Sequence, residues 1–203
     1  MTDPADGILA LLWMTGWSGA STLPVFLDGA SAPAVRLRGS AVELAQQLAV
    51  RSRRWDFERS LEVAIGLPEP TRECTVLWCW LETQDQVRRA ARFRPVPSLV
   101  LRMGRSCRRL AFWALDKPWS SLVVEPSNKR LAYALHAPQK WADPTSLRIP
   151  VPGTFLRVGR ARPSPVLLTR ATHDVWPRAK ITGRLKDPPP PYMQRLREGT
   201  VKR

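Results

Sequence analysis

The sequence predicts a mixed α/β fold of the α+β kind, with a central mixed sheet flanked by helices. Three observations carry that expectation. Segments with strand patterning alternate with segments of helical period. Two strand-like runs, 98–103 and 109–115, are joined by the turn pair Gly104-Arg105 in the manner of a hairpin. Finally, 44% of the 203 residues are apolar, which is enough for a sizeable core and too many for a disordered chain.

The elements follow in order. Residues 7–15 read as a short amphipathic helix with Asp6 as its N-cap, broken by the glycines at 16 and 19. Residues 23–27 and 35–37 read as strands across a turn-rich connection. Ser40 caps a helix predicted to run to Arg54, with Val42, Leu44, Ala45, Leu48 and Ala49 as its apolar stripe. A strand over 60–67 ends at Pro68. The run 75–81 is continuous, β-branched and aromatic, as in a strand buried on both faces. A helix over 84–92 stops before Pro95 and Pro97, and the hairpin follows. A helix is expected from about Pro126 to Leu135, then a loop over 137–144, an apolar stretch over 147–151, the turn Pro152-Gly153-Thr154 and a strand over 165–169. Residues 1–186 are read as one domain, with an N-terminal part (1–70) and a motif-bearing part (71–186). Residues 187–191, Asp followed by four prolines, form a stiff linker to a basic tail carrying Arg195, Arg197, Lys202 and Arg203.

Charge narrows the function. Lys and Arg number 32 against 17 Asp and Glu, a net charge of +15. On a folding composition this points to a polyanion, because every phosphate neutralised releases condensed counterions. A solubility surface or an arginine-favouring base composition are the plainer readings, and a membrane surface is a third. Cys74, Cys79 and Cys107 form no close metal-ligand pair, and neither histidine, His136 or His173, lies near them in sequence. Zinc is not expected, and an odd count of cysteines fits reduced thiols in the cytoplasm. The apolar run 8–13 is too short to span a bilayer, and Asp3 and Asp6 argue against a signal peptide. Ser106 with a histidine raises a hydrolase, but the sequence has no Gly-x-Ser-x-Gly elbow.

Four pieces in a fixed order carry a resemblance. Val76-Leu-Trp-Cys-Trp-Leu-Glu82-Thr83 is a central apolar strand ending on a carboxylate, and Pro97 to Ser106 leads through a hairpin to Arg109-Leu-Ala-Phe-Trp113-Ala-Leu115. Asn128 to Leu135 is the helix that follows, and Asp143-Pro precedes Leu147-Arg148-Ile-Pro-Val-Pro-Gly-Thr154. Over about half its length the chain thereby resembles the archaeo-eukaryotic-type primases, especially the primase-polymerases of actinobacterial phages and plasmids. The resemblance implies a primase-polymerase-like domain, a carboxylate pair spaced Asp-x-Asp, a phosphate-binding histidine on the hairpin and a third acidic residue. At those positions this sequence has Trp80, Glu82, Leu110 and Asp143, while Phe155 and Leu156 replace polar residues. Two-metal nucleotidyl transfer requires hard oxygen ligands bridging ions about 3.5–4 Å apart. An indole cannot ligate them, and leucine cannot donate to a triphosphate. The family's active site therefore reads here as dismantled.

Glu82 is either a surviving ligand or a solvated strand-end carboxylate, and Asp143 either the third carboxylate or the initiator of an Asp-Pro turn. Trp78 and Trp80 share one strand face, and Trp80 either packs in the core or stacks a base. The arginines are the richest signal. Arg88, Arg89, Arg92, Arg94, Arg102, Arg105, Arg108 and Arg109 follow one another with no acidic residue between them. Arg148, Arg157, Arg160 and Arg162 continue the set, and a further basic run reaches Lys186 with Trp176 inside it. Arginine forks onto phosphate and stacks on bases, so these residues are the expected nucleic-acid track. The expected partner is DNA, single-stranded or primer-template, with RNA as the alternative and a helicase among replication proteins. Three functions compete: a catalytically degenerate primase-like DNA-binding protein of a mobile element; an active primase using Mg or Mn held by Glu82, Asp143 and a third carboxylate such as Asp85 or Asp116; and an unrelated basic nucleoprotein subunit.

Overall fold

The computed structural model describes residues 4–17, 21–27, 31–59, 62–69, 73–156 and 164–189, with side chains of 51–59 left aside. The predicted linker beyond 189, the basic tail, and Arg157, Arg160 and Arg162 lie outside the described residues.

The first helix, α1 (Pro4–Met14), starts earlier than the sequence suggested. Proline is favoured at the first helical position, which places Asp6 inside the first turn rather than at the cap. Thr15 closes the helix by donating its hydroxyl to the Leu11 carbonyl at 3.0 Å. Gly16 then turns the chain at φ 72°, where a Cβ would stand 2.7 Å from the Thr75 side chain. Strands β1 (Leu23–Leu27) and β2 (Val35–Leu37) fall where their apolar patterning placed them. Helix α2 (Ala41–Arg59) opens on a reciprocal cap: the Ser40 N–H donates to Glu43 Oε2 at 2.8 Å, and the Glu43 N–H donates to Ser40 Oγ at 3.3 Å. It runs to Arg59, five residues past the expected end at Arg54. Of the strand expected over 60–67, residues 60 and 61 lie outside the described residues, and β3 spans Val63–Ile65. Gly66 ends it, held so close to β1 that a Cβ would lie 2.9 Å from Pro24.

The second sheet is built on β4 (Glu73–Leu81), β5 (Leu99–Met103) and β6 (Arg109–Ser120). β6 pairs antiparallel with β4 on one edge and with β5 on the other. Helix α3 (Gln84–Arg92) lies between β4 and β5 in sequence, and Thr83 and Gln86 form its capping box. Helix α4 (Ser121–Ala134) starts at Ser120, whose side chain accepts from the Leu122 N–H, so Pro126 lies inside the helix instead of opening it. Two 3-10 turns, Gln139–Trp141 and Pro144–Ser146, fill the expected loop. Strand β7 (Ile149–Pro150) crosses back to β3, completing an antiparallel sheet of order β2-β1-β3-β7. β8 (Phe155–Leu156) pairs with β9 (Ser164–Ala171), and β9 pairs with β5. The sequence did not announce β10 (Val175–Trp176), which runs parallel to β6, or helix α5 (Arg178–Thr182). The result is the expected α+β architecture, with two sheets rather than one, and residues of both sheets join one buried core.

Candidate nucleic-acid interface

Strand alternation sorts the second sheet into two faces. Trp80 of β4 stands directly opposite Leu110 of β6, and Leu110 opposite Leu101 of β5, so these three share a face. Leu110 is fully buried, and Trp80 is half-buried with its ring tilted 50° to that of Trp141 at 6.5 Å. The loop bearing Trp141 is fixed from below. Trp78 Nε1 donates to the Trp141 carbonyl at 2.7 Å, and Asn128 Nδ2 donates to the Ala142 carbonyl at 3.2 Å. Asp143 follows, and its carboxylate accepts from the Thr145 N–H and hydroxyl at 2.9 Å each, as a turn initiator does. Glu82, half-buried at the strand end, faces Arg108 at 3.5 Å. Among the described residues no three His, Cys, Asp or Glu side chains gather where they would hold a metal ion. Glu82 and Asp143 are each engaged by protein donors, and Trp80 and Leu110 offer no oxygen, so this donor set does not fit the two-metal centre the resemblance implies.

The other face carries the charge. Arg102 and Arg109 are direct cross-strand partners, on the face where Trp113 meets Phe93 edge-on at the end of α3. Arg109 donates to the carbonyls of Ser106 and Arg108 at 2.6 and 2.9 Å, and burial, then the neighbouring Arg102 cation, draws its pKa below the ordinary value. The Arg102 Nε is buried and has no hydrogen-bond partner among the described residues. Arg105 is exposed at the hairpin turn, and Arg88 and Arg92, four residues apart, share an exposed side of α3. Arg89 is engaged instead with Asp85 at 2.7 Å, a bond that holds the Asp85 carboxyl below its usual range. Arg148 is a clamp: it lies 3.6 Å over the Phe26 ring and donates to the carbonyls of Thr145, Leu147 and Ser31. Its pKa is lowered by burial, against the opposing pull of Asp143.

No protein-family model matches the sequence, and no curated protein matches it. Solved structures do. The catalytic domain of the primase RepB', determined in complex with initiator DNA, aligns with a TM-score of 0.66 at 16% identity, covering 100% of this chain and 100% of that one. The longer structure of primase RepB' aligns at 0.65 and 16% identity over 98% of this chain, which spans 65% of that protein's length. The primase domain of the cyanophage S-2L primase-polymerase aligns at 0.63 and 13% identity, covering 89% and 97% of the two chains. The fold is that of an archaeo-eukaryotic-type primase domain.

On this primase fold, the residues standing at the expected aspartate and histidine positions, Trp80 and Leu110, are neighbours across one strand pair. A carboxylate and an imidazole placed there would face each other, and here an indole and an isobutyl group do. The further basic run around Trp176 places its cations on tryptophan rings, and sequence reasoning missed only that Trp119 is among them. Arg178 lies 4.5 Å and Lys117 4.9 Å from the Trp119 ring centroid, and Lys180 lies 4.4 Å from that of Trp176. The spacing Trp176-Pro-Arg178-Ala-Lys180 was the available signal for part of this arrangement, but Trp119 is distant in sequence. No helix of the described residues is long and apolar enough to cross a membrane.

Proposed function

We propose that this chain is a primase-like DNA-binding protein of a replicating mobile element, working inside the cell and performing no nucleotidyl transfer of its own. One observation carries the reading: Trp80 and Leu110 oppose each other directly, under Trp141, where the resembled family keeps a metal ligand and a phosphate-binding histidine. The cations on the opposite sheet face supply what remains of the family's work. Arg102 and Arg109 stand side by side, Arg105 is exposed between them, and a buried guanidinium N–H lacks an acceptor among the described residues. A phosphate lying beside the two guanidinium groups relieves the repulsion of like charges. Single-stranded or primer-template DNA is the partner with the matching chemistry.

The test has two arms. Fluorescence anisotropy with labelled single-stranded and primer-template DNA should show an affinity falling steeply with salt. With ~5 phosphates neutralised the logarithmic slope is about −3.5 on a single strand. Salt-insensitive binding, or none at low ionic strength, refutes the DNA reading. In the second arm, primer synthesis and extension with Mg²⁺ or Mn²⁺ should not rise above background. Robust Mn²⁺-dependent polymerisation, abolished by Glu82→Ala, would return the chain to the active primases.

A further inference from the structure

Two open clefts adjoin around helix α5 and the residues that follow it. One, of about 780 Å³, lies between the loop that ends α3 and helix α5, with Phe93, Arg94, Trp176, Lys180 and Arg184 in its wall. The other, of about 540 Å³, is walled by Tyr133, His136, Arg184 and Lys186. Arg184 and Leu185 belong to both, so the two form one groove. Each part falls in the range of about 300–1,000 Å³ over which proteins hold organic ligands. The part between the end of α3 and helix α5 lies on the sheet face opposite Leu110. Trp113, three residues on, faces it, donating from Nε1 to the Pro95 carbonyl at 2.8 Å and meeting Phe93 edge-on.

Its chemistry is one-sided. Arg94, Lys180, Arg184 and Lys186 line it, and neither part contains an aspartate or glutamate. None of the four cations has an ion-pair partner among the described residues. The carboxylate next in sequence, Asp187, is taken by Arg130. Trp176 is half-buried with its ring under Lys180, and its indole N–H is buried without an acceptor among the described residues. Four cations without an ion-pair partner among the described residues, set beside aromatic rings, suit an occupant that is both anionic and flat.

We propose that this groove is a second nucleic-acid site, taking a few nucleotides of a single strand. The phosphates run past Arg94, Lys180, Arg184 and Lys186, and a base rests against Trp176. A duplex presents its bases edge-on inside the stack and has no exposed face to offer; a single strand does. The inference rests on the DNA-binding reading above and adds a place to it, distinct from the hairpin arginines.

The experiment measures a labelled oligothymidylate against the unmodified protein and the variant Lys180→Ala/Arg184→Ala/Lys186→Ala, each across a salt series. All three side chains are exposed, so the variant keeps its core. Losing three phosphate contacts from a single strand should flatten the logarithmic salt slope by about two. Trp176→Leu, which keeps an apolar side chain, should weaken binding by roughly tenfold through lost stacking. If the unmodified protein binds and the triple variant matches it in affinity and slope, the groove is no binding site, and the DNA reading stands without it. If the unmodified protein fails to bind at low salt, the DNA reading and the groove fall together.

Discussion

Asn128 is the residue on which the placement of the Trp141–Asp143 loop depends, and replacing it makes the sharpest test of that placement. It is fully buried in α4. Its Oδ1 accepts from the Trp78 N–H at 3.0 Å, on the edge of β4 that no strand of the described residues covers, and its Nδ2 donates to the Ala142 carbonyl at 3.2 Å. Asn128→Leu keeps the volume and strands both partners without hydrogen bonds. A buried group left unsatisfied costs about 1–3 kcal/mol, so the pair costs roughly 2–6 kcal/mol out of a total of about 5–15. In a chain of this size each kcal/mol lowers Tm by about 2–4 °C. Asn128→Asp adds a pH signature. Burial raises the pKa of the introduced carboxyl above its unfolded value, so its penalty is largest at neutral pH. The penalty fades as the pH falls through the folded pKa, where a protonated carboxyl can again both accept and donate. Urea unfolding followed by tryptophan emission reads both variants. A loss below about 0.5 kcal/mol for Asn128→Leu, within the range of an ordinary surface change, would refute this bridge between strand, helix and loop.

Thiol chemistry checks the burial of β4. Cys107 is half-exposed and should react with a thiol reagent in the native protein, while the buried Cys74 and Cys79 should not until it unfolds. Burial pushes the Cys74 pKa up to about 11 and that of Cys79 further in the same direction. Their contribution is therefore fully present below the unfolded thiol pKa of about 8.5 and is lost as the pH rises beyond it, which an alkaline denaturation series will show. Gly16→Ala should destabilise by about 1–3 kcal/mol in the same urea assay, because it combines a left-handed backbone with a Cβ 2.7 Å from Thr75; unchanged stability would refute that close approach.

What the sequence made legible was whatever is encoded locally. Helix α3 could be bounded correctly because Thr83 and Gln86 cap one end and the turn before Pro95 closes the other. Strands β1 and β2 carry their own apolar patterning. Helix α4 was read short because Pro126 imitates a first helical residue, while its real cap, Ser120, is also the last residue of β6. The two-residue strands β7, β8 and β10 are too brief for any period, and each exists only through a distant partner. The site divides in the same way. Net charge and the arginine run were plain, but which arginines are free was not. Glu82 and Asp85 stand just before the acid-free stretch and engage Arg108 and Arg89. Arg148, read as a phosphate contact, spends its donors on three carbonyls and its flat face on Phe26. Only folding decides such partners.

The central strand pair of this primase fold is packed by apolar side chains. Directly opposed positions on neighbouring strands hold their Cβ atoms about 4.5–5.5 Å apart, close enough that a carboxylate and an imidazole there would be coupled electrostatically. Trp80 and Leu110 have no such coupling: they are an apolar pair, extended by Leu101 on one side and by the Trp141 ring on the other. The sheet thereby gains packing at these positions, in the direction that favours stability. On the proposed reading the chain's binding work falls to the periphery, to Arg102, Arg105 and Arg109 on the hairpin and the cations around Trp176. Binding and stability should accordingly separate: changes at Asn128 or Gly16 move the unfolding transition, and changes at Lys180, Arg184 and Lys186 move affinity and its salt slope alone.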